Sequence, residues 1–224
     1  MKYLNLFREQ FKSRTTFTIK DVKKVLSQKK ISSSYIHVLL NHLTKKGEIK
    51  KIAKGIYTVR EELEVVGFAF SPFYYGLQEA LSLRKLWEQE VNPVIISTRK
   101  VRNGIRKFLG NNYLIKRIDR RMFFGFEMIK YYDIWIPVSD IEKTLIDFIY
   151  FRQNLPKEVI VEMKNSIRIV VFDAYLKRVP KWVRKRVMKL MGNEKLWHKI
   201  NRFPKRKVSQ KQLQKELEIL GNEA

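Results

Sequence analysis

Apolar side chains recur at helical spacing from the start of the chain, where Leu4, Phe7 and Phe11 predict a first helix. Thr18, followed three residues later by Asp21, predicts a capped helix start ahead of Val22, Val25 and Leu26. The polar run Gln28, Lys29, Lys30 reads as a turn. Ser32, Ser33 and Ser34 then supply cap residues for a third helix, with Ile36, Leu39, Leu40 and Leu43 on one face. Gly47 closes that helix, because glycine takes the left-handed position after a helix without steric cost. Glu48 to Ile52, a turn at Ala53, Lys54 and Gly55, and Ile56 to Val59 predict a short hairpin. Three helices followed by a hairpin are the order of a winged helix-turn-helix.

Glu61, Glu62 and Glu64 interrupt a basic chain and begin the link to a second part. From Pro72 a helix is predicted through Leu77, Ala80, Leu81 and Leu83 to Trp87. Val94 to Thr98, Tyr113 to Ile118, Met122 to Phe126 and Tyr132 to Val138 are β-branched or aromatic runs that predict a sheet. Ser139 with Glu142 predicts a capping box for a helix carrying Leu145, Ile146, Phe148 and Ile149, and the chain from Pro156 reads as helical. The expected class is therefore α+β: a winged helix-turn-helix over residues 1–60, a mixed α/β part with a helical carboxyl end over 61–200, and a basic tail over 201–224.

Charge changes the picture from fold to partner. Over 224 residues, 47 Lys and Arg against 22 Asp and Glu give a net charge of +25, a field that attracts polyanions. The excess is uneven: residues 1–60 carry 15 basic and 3 acidic side chains, 61–152 carry 14 and 12, and 153–224 carry 18 and 7. Two basic ends thus flank a nearly neutral middle, and nucleic acid is the first partner to consider. No cysteine is present, which excludes disulfides and thiolate metal sites and fits a reducing cytoplasm. The amino-terminal residues meet charge too early for a signal peptide. No apolar run approaches the roughly 20 residues of a membrane span, so no membrane partner is expected.

A recognition helix enters the major groove of DNA and presents its outward side chains to the base edges. With Ile36, Leu40 and Leu43 turned inward, Ser33, Ser34, His37, Val38 and Asn41 are the candidate readers; the same residues would also suit a solvated face. Lys50, Lys51 and Lys54 on the hairpin suit phosphate contact, and equally suit an edge strand guarded against aggregation. Near the carboxyl end, Lys181, Arg184, Lys185 and Lys189 line the polar side of an amphipathic helix, a possible secondary basic surface.

Several segments together resemble one family. The phenylalanine-threonine start, Leu43 through Gly47, and Gly55-Ile56-Tyr57 are similar to the winged helix of the AbiEi-type antitoxin and transcriptional regulator family. Tyr74-Tyr75-Gly76-Leu77-Gln78-Glu79-Ala80-Leu81 resembles that family's tyrosine-led helix, and Val138 through Asp147 its Glu-Lys-Thr-Leu-x-Asp segment, here Glu142, Lys143, Thr144, Leu145 and Asp147. Tyr175 to Arg178 and Val187 to Gly192 resemble its closing helices. The resemblance implies an autorepressor that binds operator repeats in double-stranded DNA. It also implies an antitoxin that opposes a nucleotidyltransferase-like toxin, directly or indirectly. The strongly basic tail after Asn201 departs from the family pattern.

The residues offer little for catalysis. On a helix Lys143 and Asp147 are four apart and face one another, so local structure accounts for them. Glu127, Lys130 and Asp133, the components of a nuclease alternative, have no specific spacing. The chain lacks phosphate-cradling, dinucleotide, nucleophile-elbow and zinc-helix signatures. His37 and His42 stand about 140° apart on a helix and cannot share a metal. The expectation is a non-enzyme without metal or cofactor; the alternative to a sequence-specific regulator is a general RNA-binding protein with basic ends.

Overall fold

The computed structural model of the chain describes residues 3–27 and 31–192, so the basic tail expected over 201–224 lies outside the described residues. Contacts define two compact units, Met1–Arg184 and Lys185–Ala224. Of the second, the described part is the end of one helix.

The first unit opens with α1 (Leu4–Phe11), β1 (Phe17–Thr18), α2 (Ile19–Leu26), α3 (Ser33–Lys45), β2 (Lys50–Ala53) and β3 (Ile56–Thr58). The three strands form an antiparallel sheet in the order β1-β3-β2, with Phe17 opposite Tyr57 and Lys51 opposite Tyr57 on the other side. Phe7, Phe11 and Phe17 pack ring against ring at 4.7–5.5 Å, and this aromatic cluster joins Val22, Leu26, Ile36, Leu39, Leu40, Leu43 and Ile49 in one core. Burial of several such side chains at roughly 1.5–3 kcal/mol each is what holds three short helices together.

Local chemistry fixes the helix ends as expected. The Asp21 amide donates to Thr18 Oγ1 at 3.3 Å and the Thr18 amide donates to Asp21 Oδ2 at 2.7 Å, a complete capping box. The Tyr35 amide donates to Ser32 Oγ at 3.2 Å at the start of α3. Gly47 sits at φ +72°, and amides of Gly47 and Glu48 donate to the carbonyls of Thr44 and Leu43, which satisfies the last turn of α3. The hairpin turns at Lys54 and Gly55, the latter at φ +75°.

A 3₁₀-helical segment (Leu63–Phe70) leads to a six-stranded mixed sheet: β4 (Phe73–Tyr75), β5 (Val94–Ser97), β6 (Gly104–Phe108), β7 (Asn111–Arg117), β8 (Phe126–Tyr131) and β9 (Ile134–Ser139). The strand order is β6-β7-β5-β4-β9-β8; β4 with β9 and β5 with β7 are parallel, the other pairs antiparallel. Helix α4 (Gln78–Leu83) follows β4, and α5 (Ile141–Tyr150), α6 (Lys157–Ser166), α7 (Ile169–Arg178) and α8 (Lys181–Met191) follow β9. The architecture is α+β. Among the described residues, no helix is long and apolar enough to cross a membrane.

Three expectations for this part are corrected. Phe73–Tyr75 is a central strand, and the helix expected from Pro72 is confined to Gln78–Leu83: Phe73, Tyr74 and Tyr75 are buried on both faces between β5 and β9. The run Met122 to Phe126 is no strand, because Gly125 at φ +70° breaks it and β8 starts only at Phe126. Helix α5 is capped by Asp140, which accepts the Lys143 amide at 2.7 Å, and not by Ser139, whose hydroxyl pairs with Thr144 Oγ1 at 2.7 Å.

The hairpin also reaches the second core. Ile52 of β2, 8% exposed, and the half-buried Ile56 pack with Val65, Val66 and Phe70. Arg60 donates to both carboxylate oxygens of Asp133 at 2.7 and 2.6 Å, and Lys50 pairs with Glu61 at 2.8 Å.

Candidate nucleic-acid interface

Helix α3 divides cleanly into two faces. At about 100° per residue, Ile36, Leu39, Leu40 and Leu43 fall within an arc of about 100°, and all four are buried. Ser33, Ser34, His37, Val38, Asn41 and Lys45 fall on the opposite side within about 140°, and all six are exposed. The face presented runs from the capped amino end at Ser32 to the glycine-closed end at Gly47, on the order of 18 Å from Ser33 to Lys45 at 1.5 Å per residue. Val38 is 55% exposed although aliphatic, which leaves an apolar contact in a polar row.

Exposed lysines lie on the elements that flank α3 along the chain. Lys51 and Lys54 of the hairpin are exposed, as is Lys46 at the end of α3. Lys50 behaves differently: its side chain is 15% exposed and is committed to Glu61, whose carboxyl it holds below the ordinary range. The fold adds Lys20, Lys23 and Lys24, which sequence selection passed over; they lie exposed on α2 opposite Val22 and Leu26. Spacing of three and four between those lysines was the signal that could have found them. Among described residues 3–60, two of the three carboxylates are already occupied. Asp21 is bound by Thr18, whose hydrogen bonds hold it low, and Glu48 is held by a two-point contact with Arg8 at 2.9 and 2.8 Å.

The second set of singled-out residues is closed to solvent. Lys143 and Asp147 are fully buried and ion-paired, and Lys143 Nζ also donates to the Tyr74 hydroxyl at 2.9 Å. That hydroxyl in turn donates to Asp147 Oδ2 at 2.8 Å, closing a triangle. The ammonium lies 5.2 and 5.3 Å from the ring centres of Tyr74 and Phe124. Burial pushes Lys143 down and Asp147 up, each shift partly offset by the partner's charge. Gly125 makes the packing possible: a Cβ there would stand 2.9 Å from Lys143 Cβ and 2.8 Å from the Tyr175 ring.

Around this triangle the remaining polar groups are paired. Glu142 accepts from the Arg168 amide at 2.6 Å and from its guanidinium at 3.0 Å; burial raises the Glu142 carboxyl, but these bonds outweigh it and leave it below its usual range. The Tyr175 hydroxyl donates to Asp140 at 2.7 Å, and Thr144 Oγ1 donates to the Asp140 carbonyl at 2.7 Å. Tyr74 and Tyr175 stand out in sequence only as parts of the resembling segments and Arg168 not at all, because the partners they bind stand far off along the chain.

Glu127 is paired with Arg84 at 2.7 Å and Asp133 with Arg60, while Lys130 is exposed on β8. Among the described residues no three His, Asp or Glu side chains group as a metal site. Lys181, Arg184, Lys185 and Lys189 are all exposed; Arg184 Nε donates to the Leu176 carbonyl at 2.7 Å, and Lys185 and Lys189 belong to the second unit. Compared with known proteins, the chain matches no family model and no curated sequence.

Proposed function

We propose that residues 1–60 form a winged helix-turn-helix that binds double-stranded DNA sequence-specifically, and that the protein is a transcriptional repressor of its own operon. The observation that carries this is the exposed face of α3, six residues free of carboxylate and set opposite its buried stripe. Asn41 has the donor and acceptor to pair with an adenine edge, Val38 suits the methyl of thymine, and His37 and the serines can reach bases or phosphates. Lys51 and Lys54 on the wing, with Lys20, Lys23 and Lys24 on α2, grip the backbone to either side. Lys50, engaged by Glu61, contributes less than its neighbours.

The part beyond Glu61 acts, in this reading, as an antitoxin against a nucleotidyltransferase-like toxin, as the family resemblance implies. It does so in the cytoplasm and by binding rather than catalysis. Burial of Lys143 and Asp147 supports a structural role for the Glu142-Lys143-Thr144-Asp147 segment, since no substrate reaches a fully enclosed ammonium.

Competition of the chain's own upstream DNA, random duplex and structured RNA for the protein tests the first claim. The upstream duplex should win by at least about 10³-fold over random duplex; equal affinity for all three would make the protein a general nucleic-acid binder. Co-expression with the product of the neighbouring gene tests the second, and growth arrest unrelieved by this protein would refute it.

A further inference from the structure

The middle of the chain is nearly neutral by count, yet folding sorts its charges. Four of its carboxylates, Glu79, Asp140, Glu142 and Asp147, are buried, against one buried lysine, Lys143. What this leaves at the surface between β7 and the carboxyl end of α5 is strongly cationic. Two cavities of about 730 and 780 Å³ share Asn103, Arg117, Asp119, Arg121 and Tyr150 in their walls and so form one groove. Lys100, Arg117, Arg120, Arg121, Arg152 and Lys181 line it, all exposed.

The carboxylate in that groove is Asp119, and it is engaged: it accepts the Arg121 amide at 2.8 Å as the cap of the short 3₁₀ turn Arg120–Met122 and touches the Arg121 guanidinium at 3.3 Å. The other five cations, and Arg178, which also lines the groove and stands over the Phe124 ring, make no ion pair among the described residues. Beside them, the Tyr150 and Trp182 rings lie 6.0 Å apart and within 21° of parallel, with Trp182 41% exposed. The Arg152 guanidinium stands 5.7 Å from the indole.

Cations without ion-pair partners select a polyanion, and an exposed indole stacked on a half-buried tyrosine ring selects an anion that carries rings. An acidic polypeptide would use the first feature and leave the second idle. A duplex would bury its base faces in its own stack. A positively charged groove with aromatic stacking platforms is the arrangement that holds unpaired nucleotides. We propose that this groove is a second nucleic-acid site, specific for single strands, in which the guanidiniums hold successive phosphates while Trp182, backed by Tyr150, stacks a base. It is separate from the α3 face and does not depend on the reading given to that face.

The test is fluorescence anisotropy of the full chain with labelled single-stranded RNA and DNA of about ten nucleotides, near one site size, at fixed salt. Trp182→Ala should weaken single-strand binding by roughly 5- to 100-fold, the loss expected for one stacked base, whereas Trp182→Phe, which keeps a ring, should retain most of it. Arg117→Glu with Arg152→Glu should weaken it further, and His37→Ala with Asn41→Ala should leave it unchanged. Thermal melts show that each variant is folded. The proposal is overturned if folded Trp182→Ala and Trp182→Phe bind alike, if neither single strand binds, or if polyglutamate displaces the strand at equal charge concentration.

Discussion

Burial pushes the Glu79 carboxyl, already beside Glu64, up to about 7. Between the ordinary value of 4.5 and about 7 the folded chain therefore binds more protons than the unfolded one, so stability falls as pH rises through that window. At about 1.4 kcal/mol per unit the loss is on the order of 3 kcal/mol by pH 8. Glu79→Gln should raise the melting temperature at pH 8, change little at pH 4.5 and flatten the slope between; an unchanged pH dependence would show that the carboxyl ionises freely in the folded chain. The Lys143-Asp147-Tyr74 triangle makes the opposite demand, since its charges have each other. Asp147→Ala strands a buried ammonium and should cost about 3–5 kcal/mol, whereas Lys143→Met with Asp147→Leu should cost far less, because it removes both charges together. Urea unfolding reads the difference. If Asp147→Ala kept full stability and lost only biological activity, the segment would be functional machinery rather than a packing device.

Among the elements, α3 carries most and asks least of its surroundings. Its serine cap, inward stripe and closing glycine are local, and all three were readable from spacing in the sequence. Gly47 has open space where a Cβ would go and φ +72°, so Gly47→Ala meets no clash and should lower stability by about 1 kcal/mol from backbone strain alone. A loss of several kcal/mol in thermal or chemical denaturation would point to a contact that the helix end does not show. The sheet was less legible. Phe73–Tyr75 is buried on both faces as a central strand, so it lacks the alternation that marks a strand, and its neighbouring Leu77, Ala80 and Leu81 drew it into a helix. Gly104–Phe108 is an edge strand whose Arg106 and Lys107 mimic a turn. Met122-Phe123-Phe124 has strand-like residues but closes over Tyr74 and Tyr175 instead. In the candidate sites, the i,i+4 pair of Lys143 and Asp147 was visible, and its closure by the Tyr74 hydroxyl was not. The cationic groove was hidden because a running charge count cannot tell which carboxylates fold inward.

Over the whole chain, a charge of +25 makes salt the natural variable. If the proposed DNA-binding face neutralises roughly 5 phosphates, log affinity for duplex DNA should fall with log salt at a slope of about 4 to 5; a flat dependence would remove phosphate contact from the account. The hairpin ties that behaviour to the rest of the molecule, because Ile52 and Ile56 enter the core of the sheet and Arg60 grips Asp133. Its inner face is thus fixed, while Lys54 at its turn is exposed. The central claim is that α3 reads sequence and the wing only grips. It is met most directly by the ratio of affinities for upstream and random duplex, measured on the intact chain and on Asn41→Ala, His37→Ala and the Lys51→Ala, Lys54→Ala pair. The account predicts that the α3 variants lose about 1–3 kcal/mol of that preference each, while the wing pair weakens both duplexes alike and leaves the ratio intact. A ratio unmoved by Asn41→Ala and His37→Ala, or moved as much by the wing lysines, would contradict it.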